Sequence, residues 1–162
     1  MGTTGYDPDS LFAQTYHRCG EMLFRLCMIQ MGNRADAEDV VQETFYRLLT
    51  RAPRFASGEH EKRWLIRVAV NLCHDRQKSI WNSRVDPLNE EIPSPVQQEE
   101  TAILEQILQL PPKYKAVIHL YYFEGYSISE IAQILHIGIS AVKMRLSRGR
   151  TLLKMEWEEE SL

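Results

Sequence analysis

Five basic side chains, Lys143, Arg145, Arg148, Arg150 and Lys154, crowd one short stretch near the end of this 162-residue chain, with no acid among them. Cations at that density neutralise phosphates, and such neutralisation dominates affinity for duplex DNA. A second set, Arg63, Arg67, Asn71, His74 and Lys78, recurs at steps of three and four and so lines one helical face. Between Arg51 and Lys78, seven bases stand against three acids. A third set, Asp36, Asp39, Gln42 and Glu43, is acidic and amide-bearing. Acids in a first helical turn suit the helix dipole. That accounts for Asp36 and Asp39 but less for Gln42 and Glu43, a turn further in. No phosphate-binding loop or metal-binding helix motif is present. Cys19, Cys27 and Cys73 form no Cys-x-x-Cys pair and read as buried apolar groups. No enzyme activity, cofactor or metal is therefore expected.

A basic face alone also describes any solvated helix, so the positioning elements decide. Ser127 and Glu130 form the two ends of a capping box. Ile128, Ile131, Ala132 and Leu135 follow at helical spacing. Gly138 is the expected positive-φ residue of the turn, and Ser140 the expected cap of a second helix. The inward stripe of that helix is Val142, Leu146, Gly149 and Leu153. Two short helices, a tight turn and a basic outer stripe imply a helix-turn-helix, whose second helix enters a major groove.

Upstream, Asp9 or Ser10 caps a helix carrying Leu11, Phe12, Leu23, Phe24, Leu26 and Cys27, with Gly20 a weak point and Gly32 its end. A second helix begins near Asp36 and buries Val40, Val41, Thr44, Phe45, Leu48 and Leu49. After a break at Pro53–Glu61, a third runs from about His60 to Ile80 on Leu65, Val68, Ala69 and Leu72. Pro87, Pro93 and Pro95 break the stretch from Trp81 to Glu99 into a linker. A helix over about 97–110 follows, and Pro111-Pro112 starts another that reaches the Glu124-Gly125 turn. No run alternates with period two. The predicted fold is all-α: two helical modules, 1–80 and 99–162, joined by a flexible acidic tether at 81–98, so that the modules move independently.

The net charge of −3 looks wrong for a DNA binder until it is mapped. Six acids and no base lie between Asp86 and Glu105, and four more acids between Glu156 and Glu160. The negative excess sits in linker and tail, and the helices with DNA-reading patterns stay locally basic. No apolar run spans a bilayer and no signal peptide opens the chain, so a cytoplasmic protein without membrane insertion is expected.

Three stretches together resemble the sigma-70 family of RNA polymerase sigma factors, in its extracytoplasmic-function (ECF) group. Asp36-Ala37-Glu38-Asp39-Val40-Val41-Gln42-Glu43-Thr44-Phe45 is similar to the region-2 helix that docks on core polymerase. Trp64-Leu65-Ile66-Arg67-Val68-Ala69-Val70-Asn71 is similar to the part that opens and reads the minus-ten element. Leu110-Pro111 through Leu153 is similar to region 4, which reads the minus-thirty-five element. The resemblance implies polymerase contacts at Asp36, Asp39, Gln42, Glu43 and Tyr46. It implies minus-ten contacts at Phe55, Arg63, Trp64, Arg67, Asn71, His74 and Lys78, with Phe55 stacking on an unstacked base and Asn71 bonding its edge. Trp64 reads first as a core anchor under the loop. Minus-thirty-five contacts are implied at Ser127, Ser140, Ala141, Lys143, Met144, Arg145, Arg148 and Arg150. Implied partners are core RNA polymerase, promoter DNA and an anti-sigma factor. Two departures stand out: the run after Asp75 is sparse in bases, and Met144 replaces a small polar residue.

The rival from another class is a two-module regulator with the same helix-turn-helix and a signal-receiving first half. Residues 9 to 80 show neither the α/β alternation nor the apolar pocket such a half would need, and they carry a basic face of their own.

Overall fold

The computed structural model describes residues 10–83 and 99–153, and every element within them is helical. Ser10 caps α1 (Leu11–Met31) by accepting from the Ala13 N–H, and Gly32 closes it at φ 79°. A left-handed residue there suits glycine, which has no Cβ to clash. The helix is unbroken at Gly20. Asn33, missed in the sequence, caps α2 (Arg34–Arg51), so this helix starts two residues before Asp36. Glycine and serine at 57–58 then release the chain into α3 (Gly58–Ser83).

These three helices pack mutually. Their core is Leu23, Leu26, Val40, Leu65, Ile66 and Ala69, each fully buried. Cys19, Cys27 and Cys73 are buried thiols as expected. The neighbouring Cys73 thiol and burial together push the Cys27 pKa well above the ordinary thiol value. Such a thiol is inert.

The second module comprises α4 (Glu99–Leu108), α5 (Pro112–Ile118), a π-helical turn (His119–Phe123), α6 (Ile128–Leu135) and α7 (Ile139–Leu153). Pro112 occupies the first turn of α5, where its missing N–H leaves no bond unmade. The capping box on α6 is present in both directions, as the sequence implied. The turn differs from expectation. His136 takes the left-handed conformation at φ 56°, and Gly138 is not among the positive-φ glycines. Histidine is one of the few residues with a side chain that tolerates this region. Because α7 begins at Ile139, Ser140 lies inside its first turn and is not its cap. The inward stripe matches: Val142, Leu146, Gly149 and Leu153 are buried. Gly149 permits a close crossing, since a Cβ there would stand 3.1 Å from Ile118 Cγ1.

Side chains of the two modules meet across a set of polar contacts. Lys115 Nζ donates to Ile29 O at 3.0 Å, Gln30 O at 3.1 Å and Leu108 O at 3.2 Å. Arg63 Nη2 reaches Glu130 Oε2 at 2.6 Å, and Tyr126 Oη donates to Glu59 Oε1 at 3.0 Å. Arg25 lies 3.5 Å from Glu124, which also contacts buried His119 at 3.0 Å. These cross-module partners are far apart in sequence and leave no local pattern. The tether predicted at 81–98 falls largely outside the described residues, whose α3 continues to Ser83.

His119 lowers the Glu124 pKa below the ordinary carboxylate value, against the opposing effect of burial. A depressed folded pKa adds stability that is complete above the unfolded value and is lost as pH falls through the folded one. Glu124→Gln should therefore lose less stability than wild type between about pH 6 and about pH 3.5. Urea midpoints at the two pH values check this; equal losses would contradict it.

Candidate nucleic-acid interface

With one side of α7 fixed by its buried stripe, the opposite side is set by the helical period. Ser140, Lys143, Met144 and Arg148 are exposed there, and Ala141 and Arg145 are half-buried. Three to four side chains near the start of the helix thus stand clear together, the geometry needed to meet base edges and flanking phosphates. Two of the expected residues are engaged elsewhere. Arg150 Nη1 donates to Tyr122 Oη at 3.0 Å, tying α7 to the π-helical turn. The Ser127 hydroxyl accepts from the Glu130 N–H at 3.1 Å as the cap of α6.

Along α3, Asn71 and Lys78 are exposed and Arg67 half-buried. Phe55, half-buried in the preceding loop, meets His60 edge-on at 5.3 Å and Trp64 at 5.6 Å between ring centroids. Trp64 packs against the core, as read first from the sequence. Its edge contact holds Phe55 near the start of the helix that carries Asn71. Arg63 and His74 point toward the second module. Arg63 is shared between Glu59 at 3.3 Å and Glu130 at 2.6 Å. Burial, followed by the nearby Arg145 charge, lowers the His74 pKa against the opposing effect of the Pro112 backbone.

On α2, the Asn33 side chain donates to Asp36 Oδ2 at 2.7 Å, so Asp36 belongs to the helix cap. Asp39 lies 3.6 Å from Arg76, while Gln42 and Tyr46 are exposed and Glu43 half-buried. Gln42 also lines an open groove of about 520 Å³ between α1 and α2, with Tyr16, Phe24 and Arg34. Among the described residues no cluster of side chains is suited to a metal.

Lys115 and Tyr126 escaped the sequence reading. The available signal for Lys115 was its place in a run buried all round, Tyr114 to Leu120, which leaves a charge no solvent face.

Family comparison matches residues 15–82 to sigma-70 region 2 and residues 100–153 to sigma-70 region 4. The ECF RNA polymerase sigma factor SigW of Bacillus subtilis is 30% identical over 155 residues, covering 84% of this chain and 83% of the relative. This chain belongs to the sigma-70 family, as an ECF RNA polymerase sigma factor. The ECF sigma factor SigE of Mycolicibacterium smegmatis is 33% identical over 146 residues, covering 83% of this chain but 56% of the longer relative. The sigma factor RpoE of Bartonella quintana, solved in complex with the anti-sigma factor NepR, shares the fold. Its TM-score is 0.71 at 21% identity, over 88% of this chain and 94% of the other.

The two arginines late in α7 should part company. Arg148→Ala, at an exposed position, should weaken duplex binding and lower the salt slope by about one. Arg150→Ala should instead destabilise the fold by about 0.5–1.5 kcal/mol through its lost hydrogen bond. Binding titrations over a salt series and urea denaturation separate them; the reverse assignment would place Arg150 on the DNA side.

Proposed function

We infer that this ECF sigma factor docks on core RNA polymerase through α2, opens the minus-ten element with α3 and the Phe55 loop, and reads the minus-thirty-five element with α7. On this reading residues 1–80 are the docking and melting module, 81–98 a tether and 99–162 the upstream reader. The observation that carries it is that α3, a helix separate from the basic side of α7, bears exposed Asn71 and holds Phe55 edge-on against its Trp64. A duplex reader needs only the second surface. An aromatic ring and an exposed amide brought to one helix suit an unstacked base, which exists only after strand opening.

The remaining partners follow from this assignment. Polymerase contact falls to Gln42, Glu43 and Tyr46, with Asp39 beside them, since Asp36 is engaged in the cap. An anti-sigma factor is a fitting partner, because the solved relative RpoE is held by one. The protein acts as a non-enzymatic initiation factor in the cytoplasm, where polymerase and promoters are. Among the described residues no helix is long and apolar enough to cross a membrane. A regulator that binds DNA without acting as a sigma subunit is disfavoured by the region-2 match in residues 15–82.

Run-off transcription with core polymerase on a promoter library tests the reading. Defined start sites dependent on this chain are expected, whereas duplex binding without transcripts would make it a regulator of the other kind. Glu43→Lys should weaken core binding at least about tenfold, a loss of about 1.4 kcal/mol, with helical circular dichroism unchanged. Unchanged binding would remove α2 from that interface.

The two DNA surfaces should fail at different steps. Arg145→Ala removes a group whose base contact is worth about 1–3 kcal/mol, so closed-complex formation should suffer. Asn71→Ala and Phe55→Ala should spare that step and impair strand opening. Permanganate footprinting on linear and pre-opened promoters reads the difference. A bubble should rescue the Asn71 and Phe55 variants more than the Arg145 variant; equal responses would dissolve the division.

A further inference from the structure

The loop that carries Phe55 is tied to the start of α3 by side chains that the promoter assignment does not use. Ser57 Oγ accepts from the His60 N–H at 3.1 Å, and Ser57 O from the Glu61 N–H at 3.1 Å, so Ser57 caps the helix. In the usual capping box a Glu or Gln three residues after the cap bonds back to the cap's own N–H. Here that third residue is a histidine, and its bond goes one residue further back. His60 Nδ1 accepts from the Ala56 N–H at 3.0 Å. An accepting ring nitrogen carries no proton, so this bond belongs to the neutral imidazole protonated on Nε2.

The Ala56 N–H lies in the planar peptide unit that follows the Phe55 Cα, so anchoring it restricts the backbone of Phe55 on that side. The same imidazole meets the phenyl ring edge-on, with centroids 5.3 Å apart and planes at 90°. One exposed side chain thus grips both the backbone and the ring of Phe55. Trp64, one turn further along α3, adds a second ring contact at 5.6 Å and packs on the core. The start of α3 is itself fixed against α1. Glu61 accepts from the Thr15 hydroxyl at 2.9 Å and from Arg18 Nη2 at 2.5 Å. The Arg18 guanidinium also lies over Gly58, where a Cβ would stand 3.4 Å from Cζ. A ring that must receive a base gains from being placed beforehand by rigid neighbours, because less ordering is left for the moment of capture.

We propose that His60 is a positioning residue for strand opening, holding the loop at 52–57 so that Phe55 is in place before a base leaves the stack. The inference rests on the assignment of Phe55 to an unstacked base, and it adds the side chain through which that ring is held. His60 acts through Phe55 and not on the DNA.

Two substitutions divide its contacts. His60→Asn sets an amide oxygen where Nδ1 stands, keeping an acceptor for the Ala56 N–H without the ring. His60→Leu keeps an apolar group beside Phe55 and removes the acceptor. Open-complex yield is read by permanganate footprinting, with core polymerase and a linear promoter recovered from the run-off library. It should fall about fivefold in His60→Leu, the loss expected for one hydrogen bond, and less than about twofold in His60→Asn. In a Phe55→Ala background His60→Leu should cost nothing further, since the ring it positions is gone. A purely structural loss would recur in both backgrounds. Amide hydrogen exchange of the free full-length chain reads the hold without DNA or polymerase. The Ala56 N–H should be protected in wild type and His60→Asn, and exchange at least about fivefold faster in His60→Leu. Unchanged opening in His60→Leu, an equal penalty without Phe55, no rescue by asparagine, or equal exchange in all three proteins would overturn the proposal. If Phe55→Ala itself opens promoter normally, the assignment of Phe55 falls and takes the proposal with it, even where exchange shows the loop still held.

Discussion

A buried ammonium surrounded by three carbonyls is the constraint on which the arrangement of this protein depends. An isolated charge taken from water into an apolar interior is severely destabilising. Lys115 is tolerated because α1 and α4 both end beside it, each offering carbonyls that no N–H of its own helix can reach. Burial still lowers its pKa to about 8, against the opposing effect of the nearby Cys73. The need runs both ways. Without the ammonium Ile29 O and Leu108 O would lose their side-chain donor and Gln30 O would keep only the Gln77 amide, and without these carbonyls α5 could not bury a lysine between Tyr114 and Ala116.

Around that point the two kinds of packing divide the labour. Within each module, fully buried Leu, Ile and Val side chains provide the non-directional stabilisation of apolar burial. Between modules the named contacts are directional: Tyr126 with Glu59, Arg63 with Glu130, Arg25 with Glu124. Directional polar contacts have equally good alternatives in water or on a nucleic acid, which apolar cores lack. Gln30 sharpens this contrast, since its amide is fully buried and finds no protein partner, while its carbonyl serves Lys115.

Local patterns were legible in the sequence because local physics produced them. The Ser127–Glu130 box, the Val142–Leu153 stripe and the all-helical modules each follow from spacings of three, four or seven residues. The turn was misread because glycine is only the usual solution to a left-handed residue, and here His136 adopts it. The cap of α2 was missed because Asn33 precedes the apolar pattern that drew attention to Asp36. Of the candidate site, exposure of Lys143, Arg148 and Asn71 followed from periodicity. What periodicity could not reveal is which face meets a partner 67 or more residues away, as for Arg63 and Glu130. Arg150 illustrates the same limit: its type matched the basic stripe, but its neighbour in space is Tyr122.

The glycine in the inward stripe of α7 has a consequence for reach. A hydrogen atom at position 149 lets the helix lie against Ile118, where a methyl group would stand 3.1 Å from Cγ1 and 3.3 Å from Cδ1. On the reading proposed above, the position of the outer side of α7 before a groove is thereby set from its back. Raising the helix by a few tenths of an ångström would lift Ser140, Lys143 and Met144 as one rigid row. On that reading such a change would shift the contacts of the whole row together, so the placement of the reader's outer side is controlled from the buried side of the same helix.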